Sequence, residues 1–160
     1  MTDHDLEHDS RDLLLALTAV ALDRAAPEEL ILLDETAAEY FADPGALLNP
    51  RHRDEPVGFG VDVGLLTPYV LAVATPVVSF LLDTVRAAAQ DAAKPWAIRT
   101  ARRLILGADV PNGDRPLALN AEQIRRARTI AYDQARRLGL ADEKSALLAD
   151  SVAGGLIRQP

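Results

Sequence analysis

An uncharged run of twenty residues, Val63–Leu82, constrains this chain more than any other feature of its sequence. A helix of that length spans about 30 Å, which matches the thickness of the hydrocarbon core of a bilayer. Pro68 and Pro76 interrupt the run, and its Thr and Ser side chains lower the free energy gained on membrane insertion. The run therefore predicts a buried central helix that is kinked or broken at a proline, with a membrane-entering or membrane-docked segment as the alternative.

Residues 57–63, which lead into this run and share Val63 with it, place apolar side chains at every second position, which is the period of a strand. Intervening glycines weaken that pattern, so we expect a short extended lead-in or a glycine-rich helix start. Gly60 and Gly64 have the G-x-x-x-G spacing that lets membrane helices pack closely. Together with Gly58 they also partly match the glycine pattern of a dinucleotide-binding site. That glycine pattern needs a strand and an unbroken helix around it, which this segment lacks. The candidate core or membrane residues are Leu65, Leu66, Pro68, Tyr69, Leu71, Pro76, Phe80 and Leu81.

The rest of the chain predicts amphipathic helices. Aromatic residues make up 4% of the 160 residues, so the core must consist of aliphatic side chains and alanine, which favours helices over sheets. Apolar residues recur at spacings of three and four in most segments. The sequence thus predicts an all-α fold, a bundle of five or six helices around the central apolar helix. Residues 1–10 are expected to form a flexible acidic tail and residues 11–160 a single helical domain.

Several residues predict where these helices begin and end. Pro27 is expected to start a helix whose positive N-terminal end is paired with Glu28 and Glu29. Residues 43–45 are expected to end this helix, and residues 44–56 are expected to form a loop. Near the other end, Asn120 is expected to cap a helix that Gly139 terminates. Residues 96–106, which lie before Asn120, are expected to form another helix. This helix turns its isoleucines inward and Arg99, Arg102 and Arg103 outward.

Charge is divided unevenly along the sequence. Residues 1–50 hold two arginines and twelve acids, a net charge of −10, whereas residues 51–160 hold fifteen basic and twelve acidic residues, a net charge of +3. Such asymmetry is typical of an acidic arm with a basic binding face. The simpler interpretation is that the two parts pack together and neutralise each other, and we expect this arrangement.

The residues that carry most enzyme chemistry are missing or badly placed. The chain has no cysteine, and neither a nucleophile-elbow serine nor a phosphate-binding loop with its lysine occurs. His4 and His8 could share a helix face, but they lie in the expected tail. The sequence therefore predicts a protein that is not an enzyme and uses no metal or cofactor.

The last two predicted helices resemble a helix-turn-helix in outline, with Gly139 in the turn. Arginines on the first of them could contact phosphates, yet the would-be recognition helix opens with Asp142 and Glu143, which repel a nucleic-acid backbone. The net charge of −7 also disfavours nucleic acid as a partner. These arginines are instead expected to meet the acidic first part of the chain.

In its composition and predicted helices the chain resembles small helical accessory proteins of multi-component bacterial systems. This resemblance assigns no functional role to any residue. The favoured function is a non-catalytic interaction module, a subunit or adaptor that binds another protein or a second copy of itself in the cytoplasm. The alternative is membrane association through residues 57–82. Helix-in-groove binding uses a stripe such as the one near the C-terminus, although burial in the core is the competing expectation for most of it. Its residues are Leu147, Leu148, Val152, Leu156 and Ile157.

Overall fold

A computed structural model describes residues 3–48, 65–88, 94–106 and 118–157. Within these ranges every regular element is a helix, which confirms the all-α prediction, and there are seven α-helices rather than five or six. The glycine pattern and the alternating residues before Val63 lie outside the described residues, as do His52 and most of the expected loop. The elements are α1 (Asp3–Ala25), a 3₁₀ helix (Pro27–Leu32), α2 (Leu33–Ala42), α3 (Pro44–Leu48), α4 (Thr67–Ala88), α5 (Lys94–Leu106), α6 (Ala121–Arg137) and α7 (Asp142–Leu156).

The uncharged run forms most of α4, which is one helix across Pro76 and continues past Asp83. The helix therefore extends beyond the uncharged run. A charged residue is compatible with a helix interior, so it does not end the run of helical hydrogen bonds. Pro68 occupies the first turn, where a missing N–H leaves no hydrogen bond unmade.

Three hydroxyl side chains inside α4 donate hydrogen bonds to the backbone of the same helix. The hydroxyls of Thr75, Ser79 and Thr84 each donate to the carbonyl four residues earlier, at 2.8, 3.4 and 2.8 Å respectively. The same Thr75 and Ser79, with Asp83, form an exposed stripe at intervals of four residues. Most of the apolar residues of α4 are buried, whereas Pro76 and Phe80 are half-buried, and the helix contacts each of the six other α-helices. Most of its apolar surface is thus covered by protein.

The region between α1 and α2 differs from the prediction. Pro27 begins a 3₁₀ helix, and the α-helix starts only at Leu33. The short helix α3 occupies the first residues of the expected 44–56 loop. The start of α1 also differs from the prediction, because this helix begins at Asp3, inside the expected tail. The flexibility of that tail stays a prediction.

Helices α6 and α7 form a closely packed hairpin, as the local signals predict. Asn120 and Gln123 make a reciprocal capping box, in which the Asn120 side chain accepts from the Gln123 N–H at 2.8 Å. Gly139 ends the hairpin turn with a φ of 83°, a conformation that glycine adopts without strain. The fully buried alanines that face the neighbouring helices are Ala127, Ala131 and Ala135.

Two glycines bring α7 close to α1. A Cβ atom at Gly155 would lie 2.6 Å from Cγ1 of Val20, and one at Gly154 would lie 2.9 Å from a guanidinium nitrogen of Arg24. Both glycines lie within α7, which runs on to Leu156. Their absent side chains therefore make room for α1, so they have a packing role besides the weakening of the helix end that their propensity predicts.

Candidate functional site

The stripe predicted as a docking site on α7 does not form one exposed surface. Leu148, Val152 and Leu156 are buried in the core, whereas 43% of Leu147 and 52% of Ile157 are exposed. The buried members contribute to the contact of α7 with the rest of the protein. In the folded chain, only the two exposed side chains are available to a partner.

The predicted core or membrane residues are divided in the same way. Leu71 and Leu81 are fully buried, Tyr69 and Pro68 are buried, and the remaining members apart from Leu65 are half-buried. Leu65, just before α4, is exposed. Among the described helices, α4 is long and apolar enough to cross a membrane, a property that the core helix of a soluble protein shares.

One side of α5 combines basic and large apolar side chains on an exposed surface. Apart from one adjacent pair of arginines, its members are spaced three or four residues apart along the helix, and all fall within about 120° of its circumference. The opposite side of α5 is buried against the core. We call this surface the basic face, and it consists of Trp96, Arg99, Arg102, Arg103 and Leu106.

The sequence identified the three outward arginines but not the exposure of the two apolar residues beside them. Trp96 is exposed and 53% of Leu106 is exposed. Their spacing relative to Arg99 and Arg103 could have revealed a shared face. None of the ion pairs found among the described residues involves an arginine of the basic face.

A second exposed apolar surface lies at the 3₁₀ helix. Ile31 is 87% exposed, the highest value among the large apolar residues described. Glu28 lies three residues before it, and Asp34 and Glu35 lie three and four residues after it, so these exposed carboxylates flank Ile31. We call this surface the acidic patch, and it consists of Glu28, Ile31, Leu32, Asp34, Glu35 and Leu65.

Glu29 holds the two parts of the acidic patch together. Its buried carboxylate accepts hydrogen bonds from the Leu66 N–H at 2.9 Å, the Thr67 N–H at 2.8 Å and the Thr67 hydroxyl at 2.6 Å. These donors lie at the start of α4, where backbone N–H groups have no partner within the helix. Glu29 thus caps α4, whereas the sequence assigned it, like Glu28, to the helix that begins at Pro27.

The ion pairs of the described residues stay within one part of the chain. Arg128 pairs with Asp150, and the Arg136 guanidinium lies 3.2 Å from Asp142, so both pairs join α6 to α7. The hydrogen bond from Arg128 to Asp150 raises the pKa of that arginine further above its ordinary value. The arginines of α6 that form ion pairs in the described structure therefore meet acids of α7, not the acidic first part of the chain as predicted.

A groove of about 370 Å³ lies between α1 and α4. Its floor includes Leu14 and Leu82, and Arg11 and Arg86 approach it from the two helices. The guanidinium of Arg11 also lies 5.0 Å from the centre of the Phe41 ring, a distance suited to a cation–π contact. The groove can accommodate an apolar group beside an anion, but Asp83 on its rim offsets part of the positive charge.

Two of the described serines are held by hydrogen bonds within the fold. Ser145 and Ser151 are buried and donate to the carbonyls of Leu140 and Leu147. In the part of the chain that the structure describes, no group of three or more His, Asp or Glu side chains is arranged to hold a metal ion.

Comparisons of the chain with protein-family models, curated proteins and solved structures give no match.

Proposed function

We propose that this protein is a non-catalytic helical interaction module, which acts as a subunit or adaptor in a larger protein assembly. The observation that carries the proposal is the basic face of α5. Trp and Arg are the residues that contribute most often to binding energy at protein interfaces, and here Trp96 shares an exposed helix face with three arginines. Leu106 extends the apolar contact toward the end of the helix.

The side of α5 opposite the basic face is anchored in the core. Its inward residues, including Ala97, Ile98 and Ala101, are buried. We further propose that the helices form a bundle with the proline-containing α4 as its central element, because α4 contacts all the other α-helices. A helix fixed in this way loses little conformational entropy when a partner binds its outer face.

The chemistry of the basic face defines its partner. Three arginines without a neighbouring acid on the face favour a surface that carries carboxylates, and the Trp and Leu side chains require apolar groups between them. We therefore propose a protein partner with an apolar centre and an acidic rim.

The alternative function is membrane association through residues 57–82, which the length and apolar character of α4 support. Insertion of α4 would remove its buried side chains from their contacts with the other helices. It would also place the exposed stripe of Thr75, Ser79 and Asp83 against lipid, where a carboxylate is costly. These costs favour the interaction module.

The proposal is tested with a photo-cross-linking amino acid at position 102, in the cells that produce the protein. Position 122 on α6 serves as the matched control, because Glu122 is also exposed on a helix but lies outside the basic face. We expect a discrete protein adduct from position 102 that is lost when Trp96 is replaced by Ser. Equal labelling from the two positions, or adducts that persist in Trp96→Ser, would contradict an interface on α5.

A further inference from the structure

We infer that the partner of the basic face is the acidic patch of a second copy of this chain, an inference that rests on the proposed function. The two surfaces are complementary in charge and alike in apolar content. The basic face presents three arginines around Trp96 and Leu106. The acidic patch presents three carboxylates around Ile31, together with the exposed side chains of Leu32 and Leu65.

Among the described residues, neither surface is covered by another helix. Trp96, Leu106 and Ile31 are all exposed. The ion pairs found among the described residues leave out the arginines of the basic face and the carboxylates of the acidic patch. Contact between two copies would bring these two sets of charges together.

The contact joins two different surfaces, so it is heterologous. After the first contact one copy keeps a free acidic patch and the other keeps a free basic face, so further copies can add until a ring closes or an open filament forms. The net charge of −7 repels copies in other orientations. Electrostatic complementarity of this kind selects the head-to-tail orientation, while the apolar side chains provide the buried area.

The experiment uses two variants of the whole chain, each with one surface disabled. Ile31→Ser with Asp34→Asn weakens the acidic patch, and Leu106→Ser with Arg103→Gln weakens the basic face. All four positions are exposed, so both variants should keep the helical circular dichroism of the parent chain. Leu147→Ser is the matched control, since it removes an exposed apolar side chain outside both surfaces.

Sedimentation velocity over a concentration series measures the outcome. We expect the parent chain and Leu147→Ser to associate, each double variant to remain monomeric, and an equimolar mixture of the two double variants to form a 1:1 complex. The mixture restores one intact junction and leaves the other disabled on both sides, so growth stops at two copies. A parent chain that remains monomeric, or a mixture without the 1:1 complex, would overturn the inference.

Photo-cross-linking from position 102 tests the proposed function separately from self-association. If purified parent chain is monomeric but position 102 still gives a protein adduct in cells, the second copy is wrong and the interaction module stands. If position 102 gives no protein adduct and the purified chain co-sediments with phosphatidylserine vesicles through Arg103, the basic face binds a lipid surface, and both proposals fall.

Discussion

Replacement of Glu29 by Ala tests whether one carboxylate joins the 3₁₀ helix to α4. The substitution removes the acceptor of three hydrogen bonds, at 2.9, 2.8 and 2.6 Å. Thr67 is fully buried, so its N–H and hydroxyl would lose their partner without gaining water, whereas Leu66 is half-buried. An unsatisfied buried donor costs about 1–3 kcal/mol, and loss of an N-cap costs about 0.5–2 kcal/mol.

From these values we expect Glu29→Ala to lower the free energy of unfolding by about 3 kcal/mol, because the terms overlap and do not add fully. Glu29→Gln keeps one acceptor oxygen and should cost roughly half as much. Urea unfolding followed by circular dichroism at 222 nm measures both.

The matched control is Glu28→Ala, because Glu28 is the exposed neighbour of Glu29 in the same 3₁₀ helix. We expect this control to change the free energy of unfolding by less than about 0.5 kcal/mol. If the two alanine variants unfold at the same urea concentration with the same slope, the capping argument is refuted. A stability loss confined to Glu29→Ala would support it.

Three further predictions concern packing and are checked by the same urea unfolding. Gly155→Ala should cost about 1–2 kcal/mol because the new Cβ meets the stiff side chain of Val20 at 2.6 Å, whereas Gly154→Ala should be neutral or stabilising because the arginine it meets can move; equal effects would contradict this. Thr18→Val should raise the free energy of unfolding by about 1 kcal/mol, since the buried Thr18 hydroxyl has no hydrogen-bond partner. A loss of stability would show that this hydroxyl makes a stabilising hydrogen bond after all. Leu71→Asp should abolish helical circular dichroism, because Leu71 is fully buried; a helical variant that no longer binds membranes would favour the alternative function.

The parts of the fold that the sequence predicts well depend on neighbouring residues. Asn120 and Gly139 define the ends of α6 through hydrogen bonds and a backbone conformation that involve only a few residues. Spacing alone also assigns the inward isoleucines and the outward arginines of α5. The role of Glu29 could not be predicted in this way, because its partners lie 37 and 38 residues further along the chain.

The candidate surfaces were predicted only in part for a related reason. Periodicity shows which residues share a face of a helix, but it does not show whether another helix covers that face. The α7 stripe and the basic face of α5 have similar spacing. Leu148 and Val152 are covered by the fold, whereas Trp96 and Leu106 are exposed. Three-dimensional packing decides between these two outcomes.

The close contact of α1 with α7 has a consequence for synthesis of the chain. Val20 meets Gly155, which is made 135 residues later, an interval of roughly 7–30 s at ordinary rates of translation. The side of α1 that α7 covers stays without that cover until α7 leaves the ribosome. A nascent chain that lacks α7 therefore presents an apolar surface of α1 to chaperones.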